Sequence, residues 1–166
     1  MPKTYEPIAT TTLGSAAADV TFSSITGSYT DLRMVFNGTS TASNPALGIQ
    51  INGETGAYYS RTFLNGNGTS AASGRSSNAT ILNTIRLQTS QTTVTWDFMN
   101  YSNTTTFKTI LSAGANAANE VIRHVFLFRG VGGSSTAAIT SIKIISESPN
   151  TFATGSTFTL YGIKAA

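Results

Sequence analysis

Apolar side chains recur at every second position through most of this chain, in short runs broken by turn-forming residues. "DLRMVFN" (31–37) sets Leu32, Met34 and Phe36 on one face, and "ALGIQIN" (46–52) does the same with Leu47, Ile49 and Ile51. "TTVTWDFMNY" (92–101) aligns Val94, Trp96 and Phe98, and "STFTLYGIK" (156–164) puts Phe158, Leu160 and Gly162 opposite Thr157, Thr159, Tyr161 and Ile163. Similar runs fall at 19–25, 58–64, 79–88, 105–112, 120–130 and 137–147. A period of two means a strand with one face buried and one solvated.

The punctuation agrees with strands. Asn52-Gly53 follows a run directly, and that dipeptide is a strong hairpin signal because both central residues need positive φ. "NGNGTSAASGRSSN" (65–78) reads as a long polar loop, "RGVGGSST" (129–136) as a glycine-rich one, and "SPNTFATGS" (148–156) as a third. Helix is expected at most as a turn near 112–120. Ten or so short strands at this spacing predict an all-β fold: an antiparallel two-sheet β-sandwich, jelly-roll-like. Residues 1–13, with Pro2 and Pro7, read either as an extended N-terminal arm or as the first strand. Residues 14–166 form a single β-sandwich domain.

Composition sharpens this reading. Only 10% of the 166 residues are charged and 40% are hydrophobic, with a formal net charge of +3. Disorder needs low hydrophobicity and high net charge, so a folded β-protein with Thr-rich outer faces is expected instead. The ten basic residues form no run, which argues against nucleic-acid binding and for scattered surface charges. With no cysteine, neither a disulfide nor a thiolate metal site is available. No apolar stretch has the length of a membrane span, and the N-terminus shows no signal-peptide pattern.

Candidate chemistry is sparse. The single histidine, His124, alternates with Ile122 and Phe126 and reads as a hydrogen-bonded core or interface residue. The seven carboxylates show no spacing that pairs two of them for acid–base work. "GVGG" (130–133) and "NGNG" (65–68) are not followed by a helical pattern, so neither is a phosphate cradle. No catalytic residue, metal or cofactor is expected. Tyr58, Tyr59, Asn100 and Tyr101 are the candidates for an exposed aromatic and amide surface that would bind a glycan.

The stretches "TYEPIATTTLGSAAADVTFSSI", "INGETGAYYSRTFLNGNGTSAASGR", "MNYSNTTTFKTIL" and "ATGSTFTLYGIKAA" resemble a family of small β-sandwich virion proteins of tailed bacteriophages. That family includes head decoration (cement) proteins and the distal domains of tail fibres. The resemblance implies a non-enzymatic structural protein on the virion surface, made in the host cytoplasm. Its implied partners are further copies of itself, as a trimer, and the major capsid protein or another virion protein. Neither nucleic acid nor membrane is among them. The segment from Pro2 to Leu13, with Tyr5, Pro7 and Ile8, is the expected docking arm. The alternative is a tail-fibre or spike module that recognises host surface polysaccharide.

Overall fold

The computed structural model describes residues 4–147 and 149–164. Twelve strands are found among them: β1 (Tyr5–Thr12), β2 (Asp19–Phe22), β3 (Asp31–Gly38), β4 (Ala46–Ile51), β5 (Tyr59–Gly66), β6 (Ala71–Ala79), β7 (Leu82–Arg86), β8 (Thr92–Met99), β9 (Lys108–Asn116), β10 (Val121–Phe128), β11 (Ile142–Ser146) and β12 (Thr157–Ile163). The larger sheet has the order β1-β12-β3-β8-β9-β10-β5-β6 and the smaller β2-β11-β4-β7, with every pair antiparallel.

The two sheets pack face to face as a β-sandwich. Within them, β1-β12-β3-β8 opposite β2-β11-β4-β7 is the eight-strand double Greek key of a jelly roll. Two hairpins are inserted into its crossovers: β5–β6 between β4 and β7, and β9–β10 between β8 and β11. They pair with each other through β5 and β10 and extend the larger sheet beyond β8 as a lateral wing.

The alternation seen in the sequence maps onto burial. In β10, Ile122, His124, Phe126 and Phe128 are buried while the residues between them are exposed. Leu32, Met34 and Phe36 of β3 and Val94, Trp96 and Phe98 of β8 meet Leu47, Ile49, Ile144 and Leu82 in one core. Phe152 comes from a loop, yet its ring lies 5.4 Å from Phe36 and 4.9 Å from Phe158. Each such buried ring contributes about 1.5–3 kcal/mol.

Three expectations change. The segment 65–78 is not a loop but the β5–β6 turn followed by β6. Asn67 closes that turn: its Oδ1 accepts from the N–H groups of Thr69 (3.1 Å) and Ser70 (2.8 Å). β6 escapes a periodicity reading because its side chains are small and mostly exposed. The expected turn at 112–120 shortens to 117–120, since β9 runs on to Asn116, whose Oδ1 caps the N–H groups of Ala118 and Glu120. Asn52 and Gly53 do adopt positive φ (53° and 70°), with Glu54 N–H bonded to the Ile51 carbonyl at 3.0 Å. The turn joins no hairpin, however: β4 lies in the smaller sheet and β5 in the larger.

Candidate functional site

Pro2 lies outside the described residues. Tyr5–Thr12 realises the first-strand alternative, pairing with β12 from Tyr5↔Ile163 to Thr12↔Thr157. The register shifts between Pro7 and Ala9, and Ile8 and Leu13 pack against the core. Leu13 N–H reaches the Ser156 carbonyl at 2.9 Å. Tyr5 stays exposed, its ring 5.6 Å from the Arg33 guanidinium. Residues 5–13 are therefore built into the sheet and are no free arm.

The four candidate glycan contacts do not share a surface. Tyr59 and Tyr101 are wholly buried. The Tyr59 hydroxyl accepts from Ile51 N–H and donates to the Glu54 carbonyl. The Tyr101 hydroxyl donates to the Thr26 carbonyl. An aromatic face spent on the core offers nothing to a sugar, which corrects the expectation for both rings. Tyr58 is half-buried beside the Arg129 guanidinium, and exposed Asn100 bonds through its N–H to Asp31.

The charged groups hold the fold. Each of the seven carboxylates has a structural partner: Lys164 for Glu6, Lys143 for Asp19, Asn100 N–H for Asp31, Gly132 N–H for Glu54, Arg33 for Asp97, Asn116 for Glu120 and Arg86 for Glu147. The N–H groups of Gly132 and Gly56 lower the Glu54 pKa, so the glycine-rich loop at 129–136 cradles a carboxylate of its own chain. Lys108 departs from the expected surface charges. It is buried, its Nζ donates to the carbonyls of Asn103 (2.7 Å), Thr106 (2.8 Å) and Thr136 (2.9 Å), and desolvation lowers its pKa. His124 is buried as expected, with Nε2 3.1 Å from Asn65 Oδ1.

The outer face of the wing carries apolar side chains that nothing among the described residues covers. Cross-strand register puts Leu111 opposite Val125, and Leu64 opposite Arg123 between Val121 and Val125. Leu127 continues the stripe. Val121, Leu64 and Val125 keep half or more of their surface exposed (57, 53 and 50%). A depression of about 450 Å³ lies among Thr62, Leu64, Leu111, Arg123 and Val125. Arg75 and Arg123 share this face, and neither has an ion pair among the described residues. Contiguous apolar surface rimmed by polar groups marks an interaction site. The signal was present in the sequence: β10 is apolar at Val121, Val125 and Leu127 as well as on its core side, a pattern of strands covered on both faces.

A second depression, of about 380 Å³, lies between the tips of the two hairpins and β7, lined by Asn44, Asn65, Asn67, Arg86, Gln88 and Glu120 among others. Part of its polar capacity is already used. Asn67 Oδ1 caps the β5–β6 turn, Asn65 Oδ1 faces His124, and one oxygen of Glu120 accepts from Asn116.

Comparison with protein-family models and with curated proteins returns no match for this chain.

Proposed function

We propose that this chain is a structural, non-enzymatic protein of a tailed-bacteriophage virion, a decoration or cement protein that docks on the outer surface of the head and ties neighbouring capsid subunits together. The observation that carries this reading is the uncovered outer face of the wing, where Leu64, Leu111, Val121 and Val125 surround Arg123, which has no ion pair among the described residues. A free-standing domain gains nothing by leaving such a stripe in water. Burying it against a shell gains roughly 25 cal/mol per Å² of apolar area. Arg75 and Arg123 select a partner surface that is apolar with acidic groups, and they disfavour two copies meeting face to face. The sequence resemblance to phage virion β-sandwiches points the same way.

The test is co-sedimentation of the purified protein with undecorated heads. Wild type is expected to pellet with heads at hundreds of copies per particle. The doubly substituted Leu111→Asp, Val125→Asp protein, folded by circular dichroism, is expected to stay in the supernatant. Equal pelleting of the two proteins rejects the wing face as the docking surface.

A second reading, a fibre or spike module that recognises host polysaccharide, is favoured by the amide-lined depression beside β7, which presents Gln88, Asn44 and Arg86 together. Binding of the purified protein to host cells, lost in Gln88→Ala but retained in Leu111→Asp, would support that reading over the first.

A further inference from the structure

The larger sheet ends on β1 and β6, the smaller on β2 and β7. Edge strands expose unpaired N–H and C=O groups, and folded proteins blunt them with short length, proline, bulges or a cover. Three of these four edges are blunted. β1 carries Pro7 and a register shift, and β2 has four residues. β7 is covered by the wing: its Asn83 and Arg86 carbonyls accept from the Arg61 and Asn116 side chains.

β6 has none of these devices along 71–76, and of the charged side chains that also blunt edges it carries Arg75 alone. Its pairing with β5 is regular from Gly66↔Ala71 to Arg61↔Ser76, and its irregularity comes only beyond, towards Ala79. The direction of its free groups follows from the turn. Asn67 N–H bonds the Ser70 carbonyl at 3.1 Å, so Asn67 and Ser70 are a hydrogen-bonded pair. Such pairs alternate along an antiparallel ladder. Ala72, Gly74 and Ser76 therefore spend their backbone groups on β5, while Ala71, Ser73 and Arg75 point theirs away from the sheet. The bond from Asn116 N–H to the Glu120 carbonyl fixes the same alternation from the far side of the wing, through β10.

We propose that β6 pairs, antiparallel, with β6 of a second copy of this chain about a two-fold axis through Ser73, joining two larger sheets into one. In this register Ser73 faces the partner's Ser73, Ala71 faces the partner's Arg75, and each pair exchanges two backbone hydrogen bonds. Side chains permit it: 71–76 reads Ala, Ala, Ser, Gly, Arg, Ser, small but for one arginine. The two arginines stand four residues apart along the strands, about 13 Å. That exceeds a Debye length of about 8 Å at physiological ionic strength, so their repulsion is screened. Moving the axis to Arg75 would set the two guanidinium groups directly opposite, and moving it to Ala71 would pair Ser73 and Arg75 with turn residues before β6 begins, so charge and strand length together select Ser73 as the centre. The pairing leaves the apolar outer face of both wings free on one side of the joined sheet. It stands independently of the head-surface reading, and it gives a pair of chains where the resemblance implied a trimer.

The test uses the full chain, which has no cysteine of its own. Sedimentation equilibrium in the micromolar range is expected to give twice the 17.4 kDa chain mass. Ser73→Cys is expected to form a disulfide-linked dimer on mild oxidation, because paired Cα atoms on such a ladder lie about 5.5 Å apart, within disulfide range. Ala72→Cys, facing the partner's Gly74, is expected to crosslink at least tenfold more slowly. Ser73→Pro removes no hydrogen bond within the chain and is expected to give a folded protein of single-chain mass. A wild-type mass of one or three chains, or equal crosslinking by the two cysteine variants, overturns the proposal. Should Ser73→Pro fail to fold, the crosslinking contrast alone decides.

Discussion

The Tyr59 hydroxyl, at the start of β5, accepts a hydrogen bond from the backbone N–H of Ile51, at the end of β4, over 3.1 Å. The two residues belong to different sheets, and the same hydroxyl donates to the Glu54 carbonyl at 2.9 Å. Its ring stacks on Phe128 at 4.9 Å. This one side chain thus seals the point where the chain crosses from the jelly roll into the wing. Tyr59→Phe keeps the ring and strands the buried Ile51 N–H and the part-buried Glu54 carbonyl. The expected loss is about 1–3 kcal/mol, read as a lower urea midpoint at unchanged slope.

His124 predicts an acid-side weakening. Burial, and then the charge of Arg61, push its pKa down to about 4. Around it stand Asn65, Phe63 and Phe126, with Ser112 and, beyond it, Trp96 in the same cross-strand row. The folded state therefore binds the proton less readily than the unfolded chain, whose histidine titrates near 6.5. The contribution is complete above pH 6.5 and is lost as pH falls from there towards 4, up to about 3 kcal/mol in all. Denaturation midpoints of wild type should fall between pH 7 and pH 5, and those of His124→Phe should fall less. Parallel profiles for the two proteins would show that another group is responsible.

Lys108 makes a prediction about loops. Its ammonium gathers three carbonyls from residues 103, 106 and 136, with no carboxylate among its partners. Lys108→Met matches the apolar stem and abandons those carbonyls. Hydrogen exchange should accelerate at 103–106 and around 136 while β3 and β12 keep their protection. The cost expected is about 1–3 kcal/mol.

Deleting residues 1–13 should destabilise the domain, because it removes β1 from β12 and takes Ile8 and Leu13 off the core. A drop of several degrees in Tm is the expected outcome. An unchanged melting curve would mean that this strand adds nothing to the sheet.

How much of this was legible in the sequence depends on what each residue faces. β3, β8 and β10 announce themselves because one side of each meets the core. β6 does not, since its partners are backbone and solvent and its composition is that of a loop. The buried ends of Tyr59 and Tyr101 were equally hidden. Alternation shows that Tyr58 and Tyr59 point opposite ways, and only the packing of two sheets says which way is in. Lys108 was hidden for a related reason: two of the carbonyls at its ammonium come from the turn just before it, but the third, of Thr136, is brought there only by the fold. The outer stripe of the wing was readable in β10, whose apolar residues exceed what one buried face requires.

The wing has a cost in time. Each hairpin closes locally and fast, but Gly66 must find Val121 and Tyr59 must find Phe128 before the two can zip together. Such distant searches slow folding. Until β10 arrives, β5 is a naked ribbon with one side unclaimed, and in a crowded cell its nearest substitute is the same ribbon on another newly made molecule. The ornament that gives this sandwich its extra breadth is also where hurried synthesis would first tangle neighbours.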